Sequence, residues 1–477
     1  MDIQEEITQL RQSLAEAQEA LLAANLKIKE LTERLNQNSR NSNWPSSRDT
    51  TRKKKRTTQS LRIKSNKKQG GQEGHQGHTL AFSDAPDVIE AHRPSSCQHC
   101  QAAFTDNQQA ITIKKRQVHD LPPMRLVVHE HQSECLLCSE CGQETQGKFP
   151  KQVTNPVQYG SRVQQLAVYL KTEQFIPYNR SRRFFADLFG INISPGTLQN
   201  IIKRAASRLR PVSNRIKEAL IAADVVHFDE TGFYIGGERH WLHTAGTTSL
   251  TSYYPHKRRG RIATDGMDIL PHFQGTAIHD HWQTYYLYKQ CTHGACNVHH
   301  LRELTAAAEN DEQSWAERFK WLLLSSKRVV EDAYLSGEST LPPAKIAQVE
   351  RIYTQLIHVA LRANPPPPDG WPKSRNGRLK KTKVRNLVER LDKRRREVLA
   401  YLYDFKVPFD NNLAERDIRM MKVQQKISGC FRSQDGAEDF CTIRGYISTM
   451  RKQGIPIWSA LGSVFSDDIL MPDFTPV

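Results

Sequence analysis

The sequence predicts a multidomain α+β protein, and three observations predict it. The chain has 477 residues, which is more than one hydrophobic core organises, and its 38% hydrophobic content leaves room for linkers. An apolar heptad repeat opens the chain, and two cysteine pairs follow between residues 97 and 141. Short strand patterns begin near residue 218, and a helical, basic stretch separates them from a last set of helices. We expect roughly three or four units joined by linkers.

Residues 1–37 predict a coiled coil. Apolar residues recur alternately every three and every four positions for about five heptads, which is the spacing of an a/d seam. This seam predicts a homodimer or higher oligomer. One amphipathic helix packed on its own chain is the alternative. The seam consists of Ile3, Ile7, Leu10, Leu14, Ala17, Leu21, Ala24, Ile28, Leu31 and Leu35.

The formal net charge of +17 is concentrated in two segments. Residues 38–68 carry +10 and residues 371–397 carry +9, so the remainder is nearly neutral. Basic patches of this kind suit phosphate binding and indicate DNA as a partner. Residues 38–92 predict a basic flexible linker, because their polar and glycine-rich composition buries little apolar surface. Lys53, Lys54 and Lys55 are candidate DNA-binding residues there.

The chain shows neither an apolar run long enough to span a membrane nor the start of a signal peptide. We expect a cytoplasmic, nucleoid-associated protein with no membrane partner.

Residues 93–145 predict a zinc-ribbon-like module. Cys-x-x-Cys occurs twice with a spacing at which two turns offer four thiolates to a structural Zn²⁺. The glycine after the second pair favours Cys138 over Cys135, although both remain candidates. We also expect strand-like structure between the pairs. Disulfides are the alternative, which a cytoplasmic setting disfavours. The predicted zinc ligands are Cys97, Cys100, Cys138 and Cys141.

Residues 146–215 predict two helices and a short turn. Gly190 ends the first helix, while Ser194 caps the second and Pro195 takes its first position. If this is a helix-turn-helix, its second helix enters the major groove and presents Lys203 and Arg204 to DNA. A plain helical hairpin is the alternative.

Residues 216–300 predict the first part of an α/β core. Three consecutive strand patterns, a helix and a fourth strand follow the order of an RNase H-like core. Apolar runs lead into Asp229 and into Asp280, and side-chain alternation along a strand puts Glu230 on the opposite face from Asp229. A further group could form a second metal site, but we expect a structural role for it: Cys291, His293, Cys296 and His299.

Residues 301–405 predict a helical, basic insertion, followed by the second part of the core at 406–450 and a C-terminal tail at 451–477. Asp410, Asn411 and Asn412 are expected to start a helix whose first turn carries Glu415. Carboxylates on two strands and a helix can hold two hard divalent cations. An exposed helix with one ion pair is the alternative. The helix also carries the candidate DNA-binding residues Arg416, Arg419 and Lys422.

Six segments together resemble the insertion-sequence-66 (IS66) class of DDE transposases. FDETG, HDHW, CNVHHLREL and DNNLAERDIRMMKVQQKISGCFRS resemble its catalytic half, whereas NSRNSNWPSSRD and GGQEGHQGH resemble its N-terminal motifs. The resemblance implies an RNase H-like fold in which Asp229, Asp280 and Glu415 bind two Mg²⁺ or Mn²⁺ ions, and in which Lys422 holds DNA. The sequence departs from the class at two places: residues 296–299 read Cys-Asn-Val-His where many members have Cys-Trp-Ala-His, and Glu73 stands where proline is common.

The resulting hypothesis is a transposase that cuts the ends of an insertion sequence and joins their 3′-hydroxyls to target DNA. Its partners would be the element's terminal repeats, the target DNA and accessory proteins of the same element. Two alternatives remain: a non-catalytic DNA-binding regulator or decayed transposase, and a general RNase H-like nuclease.

Overall fold

A computed structural model describes residues 3–38, 40–42, 80–367, 377 and 379–475. The predictions for Lys53, Lys54 and Lys55, and for most of the basic linker, lie outside the described residues. No helix in the described part of the chain is both long and apolar enough to cross a membrane.

The N-terminal third contains one long helix and one small hairpin. Helix α1 (Ile3–Asn36) is continuous, and its apolar seam is exposed along most of its length. Strands β1 (Cys135–Leu137) and β2 (Glu144–Gln146) pair antiparallel. The expectation of strand structure across residues 113–132 is wrong, since that segment contains no strand. Apolar side chains such as Val118 and Val128 are exposed there and have no facing layer to cover them.

Three helical elements precede the sheet: α2 (Ser161–Val168), which continues as a π-helical turn (Tyr169–Glu173), α3 (Tyr178–Phe189) and α4 (Pro195–Ile221). The predicted boundaries are confirmed. Gly190 ends α3 with φ +67°, a conformation that glycine adopts without strain. The Ser194 hydroxyl accepts a 3.0 Å hydrogen bond from the Thr197 amide at the start of α4.

A five-stranded mixed sheet lies at the centre of the protein. It comprises β3 (Val225–Ile235), β4 (Glu238–Gly246), β5 (Thr251–His256), β6 (Thr276–His279) and β7 (Thr292–Ala295), in the spatial order β5-β4-β3-β6-β7. β4 pairs antiparallel with both β3 and β5, whereas β6 runs parallel to β3 and β7 parallel to β6. Helix α5 (Arg261–Met267) connects β5 to β6.

The helical insertion follows β7 and has its own hydrophobic core, which includes Phe319 and Tyr353. Its helices are α6 (Asn297–Asp311), α7 (Ser314–Leu335), α8 (Pro343–Ala363), α9 (Lys383–Lys393), α10 (Arg395–Val398) and α11 (Ala400–Tyr403). The chain then returns to the sheet through α12 (Asn412–Ser428), α13 (Gln434–Lys452) and α14 (Ile457–Ser463).

One hydrophobic core joins the helices before the sheet, the sheet itself and the C-terminal helices. It contains Leu198 of α4, Phe228 of β3, Ile443 of α13 and Leu461 of α14. Residues 451–477 were expected to form a tail, but α14 packs into this core because its apolar residues need a buried surface. Residues 146–215 likewise share this core, so no separate core begins at residue 216.

Candidate active site

Asp229 lies in the middle of β3, opposite Thr244 of β4. The predicted strand 225–231 extends to Ile235, so Asp229 does not end it. Burial raises the pKa of Asp229 well above its ordinary value, and the nearby charges of Glu230, Asp280 and Glu415 raise it further. The Glu230 amide donates a 2.9 Å hydrogen bond to Asp229 Oδ1. The neighbouring carboxylates therefore add to burial in making the ionised form of Asp229 less favourable.

Asp280 is the first residue after β6, as the sequence predicted. The parallel register pairs His227 with Ile278, so its continuation by two residues places Asp280 beside Asp229. The Trp282 amide donates a 2.8 Å hydrogen bond to Asp280 Oδ1. The turn after β6 thus fixes one oxygen of this carboxylate.

Glu415 lies in the first turn of α12, which packs against β3 and β4. Its side chain is 16% exposed, and Oε2 lies 3.7 Å from Arg419. The other oxygen, Oε1, is buried and has no hydrogen-bond partner among the described residues. The predicted ion pair with Arg419 is therefore present, but it leaves one carboxylate oxygen unsatisfied.

Asn411 places this helix on the sheet. Its side chain was expected to cap α12, but it makes no capping bond. Asn411 is buried, its amide donates a 2.7 Å hydrogen bond to the Phe228 carbonyl, and its Oδ1 lies 2.9 Å from His227 Nδ1. For Asn411 the cap expectation is wrong, because these two groups of β3 compete for its side chain. They lie one and two residues before Asp229. Asp410 Oδ1, in contrast, accepts a 3.0 Å hydrogen bond from the Asn412 amide at the start of α12, as expected.

The three carboxylates come from three elements, and the charges of Asp280 and Glu415 add to burial and to Glu230 in raising the pKa of Asp229. The oxygens of these three carboxylates do not all lie within 4.8 Å of one another, so the triad does not form a cage for one ion. A carboxylate donor set suits hard cations such as Mg²⁺ or Mn²⁺. The raised pKa of Asp229 and the unpartnered Glu415 Oε1 both indicate a site that positive charge would stabilise.

Side-chain alternation along β3 puts Glu230 on the opposite face from Asp229, although burial and the charge of Asp280 both raise the pKa of Glu230. Arg259 Nε donates a 2.9 Å hydrogen bond to Glu230 Oε1, and the Tyr285 hydroxyl donates to Oε2. The Arg259 guanidinium also lies between the rings of Trp241 and Trp282, 4.9 and 4.4 Å from their centroids. Both carboxylate oxygens of Glu230 therefore already have side-chain partners, Arg259 and Tyr285.

Sequence reasoning missed one group beside Glu415. Ligand atoms of Cys296, His299 and Glu415 all lie within 4.8 Å of one another. The Cys-x-x-His spacing was visible, but nothing local shows that α12 returns to meet it. Cys291 and His293 lie apart from this group: His293 Nδ1 is 3.0 Å from His279 Nε2.

The predicted DNA-binding residues have different surroundings. Lys422 donates a hydrogen bond to the carbonyl of Gly232, so it is tied to β3, three residues beyond Asp229. Lys203 and Arg204 are exposed on α4, and Arg204 also donates a 2.9 Å hydrogen bond to Gln164. On α12, Arg416 and Arg419 are exposed.

The two cysteine pairs form matching turns. In the first turn the Cys97 amide donates a hydrogen bond to the Ala102 carbonyl, and the Gln101 amide donates to the Cys97 carbonyl. In the second turn the Cys138 amide donates to the Gln143 carbonyl, and the Gly142 amide donates to the Cys138 carbonyl. Gln101 and Gly142 have φ of +62° and +69° at equivalent places. Cys135 instead lies on β1, with its thiol 3.8 Å from Glu144.

The two turns are alike, so the choice of Cys138 and Cys141 as the second pair stays a prediction. Hydrogen bonds between paired cysteines lower the pKa of Cys97 and of Cys138. No three of the four thiols lie within 4.8 Å of one another among the described residues. The structure brings each pair together but does not bring the two pairs to one point.

Comparison with known proteins identifies a family over more than half of the chain. Residues 156–439 match the family model described as "Transposase IS66 family", and residues 1–81 match one described as "Family of unknown function (DUF6444)". The "Uncharacterized protein y4jO" of Sinorhizobium fredii (strain NBRC 101917 / NGR234) is 36% identical over 76 residues, which are 16% of this chain and 24% of that protein. The chain thus matches about a quarter of the length of this relative.

Proposed function

Because this chain belongs to the IS66 transposase family, we propose that it cuts the ends of an insertion sequence and joins their 3′-hydroxyls to target DNA. The reaction would be a metal-dependent phosphodiester transfer of the DDE type. Asp229, Asp280 and Glu415 would be the metal ligands.

The observation that supports the proposal is electrostatic: besides burial and Glu230, the charges of Asp280 and Glu415 both raise the pKa of Asp229. The three carboxylates come from the middle of β3, the end of β6 and the first turn of α12. The strand order β5-β4-β3-β6-β7, with β4 antiparallel to its neighbours, supports an RNase H-like core. That arrangement would bring the site to the end of β6, beside the middle of β3.

When bound, two Mg²⁺ or Mn²⁺ ions would lower the pKa of the attacking hydroxyl and stabilise the leaving oxygen. The carboxylates would hold these ions and would not act as bases. Asn411 would orient Glu415 by fixing the start of α12 on β3. Arg259 would keep Glu230 out of the ligand set by pairing with it.

Exposed cations near the site would bind the DNA backbone. Arg416 and Arg419 lie on α12 beside Glu415, while Lys422 would hold DNA only by giving up its bond to Gly232. On α4, Lys203 and Arg204 lie on the solvent face, opposite the apolar residues that the helix buries. We propose that these two surfaces contact the terminal repeat.

Two further elements would assist the reaction. The paired turns at Cys97 and Cys138 suit a structural Zn²⁺, provided that the two pairs approach each other when the ion binds. The exposed apolar seam of α1 would pair with a second copy, since a transposase acts on two element ends. Accessory proteins of the same element would be further partners.

The test is strand cleavage and joining on labelled DNA that carries the element's own end, with Mg²⁺ or Mn²⁺. We expect product from the wild type and none from Asp229→Asn or Glu415→Gln, while DNA binding persists. Glu438→Gln, which changes an exposed glutamate on α13, is the matched control and should remain active.

The alternatives give different results. A DNA-binding regulator would bind the element end in a salt-sensitive manner and give no product, even with the accessory proteins present. A general nuclease would cut unrelated DNA as readily as the element end.

A further inference from the structure

Two helix starts meet beside the proposed catalytic glutamate. Cys296 is the residue before α6, and His299 lies in the first turn of that helix. Glu415 lies in the first turn of α12. The sulfur of Cys296, a ring nitrogen of His299 and a carboxylate oxygen of Glu415 all lie within 4.8 Å of one another.

Two polar atoms of this group are unsatisfied. Glu415 Oε1 and His299 Nδ1 are buried and have no hydrogen-bond partner among the described residues. A buried polar atom without a partner costs about 1–3 kcal/mol, so such atoms usually indicate a ligand or a catalytic role. The Cys296 sulfur accepts a 3.2 Å hydrogen bond from the Asn411 amide, a contact that also stabilises a metal-bound thiolate.

We propose that Cys296, His299 and Glu415 form a binding site for a thiophilic divalent cation such as Zn²⁺. The assignment of Glu415 as a shared ligand rests on the proposed function. Zinc bonds of about 2.0–2.3 Å place tetrahedral donors roughly 3.3–3.8 Å apart, so the group has to contract by at most about 1.5 Å. Binding forms a Zn–S bond, and the thiol proton leaves to water.

The donor set distinguishes this site from the carboxylate triad. Thiolate and imidazole favour Zn²⁺, whereas Mg²⁺ favours oxygen ligands. Millimolar Mg²⁺ therefore does not fill the new site, but Zn²⁺ bound there withdraws Glu415 from the catalytic ions. Because three protein ligands leave a fourth position open, water or a phosphate oxygen of DNA completes the coordination.

The test is the number of Zn²⁺ ions bound per chain, measured on full-length protein in excess Mg²⁺ with a chromophoric chelator. We expect the wild type to bind one ion more than Cys296→Ser and one more than His299→Gln. Cys291→Ser is the matched control, since that cysteine is also buried but lies outside the group, and it should bind as the wild type does. Equal binding by the wild type and both site variants overturns the proposal.

Circular dichroism of each variant checks that it folds. Cys296 is only 1% exposed, so His299→Gln decides the outcome if the serine variant unfolds. The Zn²⁺ count uses no cleavage step. Absence of cleavage by the wild type therefore counts against the proposed function and leaves the result for this site unchanged.

Cleavage then tests whether Glu415 is shared. We expect Zn²⁺ to inhibit cleavage by the wild type in the presence of Mg²⁺. The Zn²⁺ concentration that halves the cleavage rate should be at least about tenfold higher for Cys296→Ser than for the wild type, because the variant has lost one zinc ligand. If the wild type binds the additional ion but Zn²⁺ inhibits both proteins equally, the sharing of Glu415 is refuted.

Discussion

Asn411→Ala tests whether the buried link between α12 and β3 stabilises the fold. Asn411 is 2% exposed, and its side chain bonds the Phe228 carbonyl at 2.7 Å and lies 2.9 Å from His227 Nδ1. Truncation leaves two buried groups without this partner, each at a cost of about 1–3 kcal/mol. Taking about 2 kcal/mol as the net effect, we expect the thermal midpoint to fall by roughly 4–8 °C, at about 2–4 °C per kcal/mol.

The assay is thermal unfolding followed by circular dichroism without divalent cations. Asn412→Ala is the control, because Asn412 is the next residue and is exposed. We expect this control to melt within about 1 °C of the wild type. If Asn411→Ala melts with its control, the side-chain link does not stabilise the fold and Asn411 cannot be what positions Glu415.

Four further predictions follow from the structure. Asp229→Asn should raise the thermal midpoint in chelator by roughly 2–6 °C, because it removes a buried charge beside other acids, and Mg²⁺ should stabilise this variant less than the wild type. Burial lowers the pKa of His243 to about 4, so stability is complete above about pH 6.5 and falls by up to about 3 kcal/mol towards pH 4; His243→Gln should flatten this part of a denaturation series. Lys203→Ala with Arg204→Ala should reduce the slope of log affinity against log salt by about 1–2 units for the element end. Leu21→Lys, in the exposed seam of α1, should lower the oligomeric state measured by sedimentation equilibrium.

Local signals predicted the helix boundaries, because the interactions that end a helix lie within a few residues. Ser194 and Gly190 act where the sequence placed them, and the strand patterns that begin at 225, 239 and 251 each gave a strand. For the same reason Asp229 and Asp280 lie on or just after the strands expected for them, while their role as metal ligands stays a prediction. The match to the IS66 family confirms the resemblance drawn from short motifs.

Long-range competition explains what the sequence did not predict. Asparagine is a residue type that often caps helices, but the side chain of Asn411 contacts His227 and the Phe228 carbonyl of β3 instead. The contact of Cys296 with Glu415 joins residues that the whole insertion separates, so no local pattern contains it. The C-terminal residues form a helix that packs on the core, because the face they cover is created by α2 and α13.

The insertion does not displace the glutamate because its two ends are fastened together. The Asn297 amide donates a 3.1 Å hydrogen bond to the Phe409 carbonyl, and the Asn411 amide donates to Cys296. The Asn297 side chain also donates a 2.9 Å hydrogen bond to Val398, near the end of the insertion. Since the entropy of closing a loop grows only slowly with its length, the size of the insertion matters little once these contacts hold its ends. The same contacts make Cys296 and His299 neighbours of Glu415, so the proposed zinc site lies at the junction through which the insertion can influence the carboxylate triad.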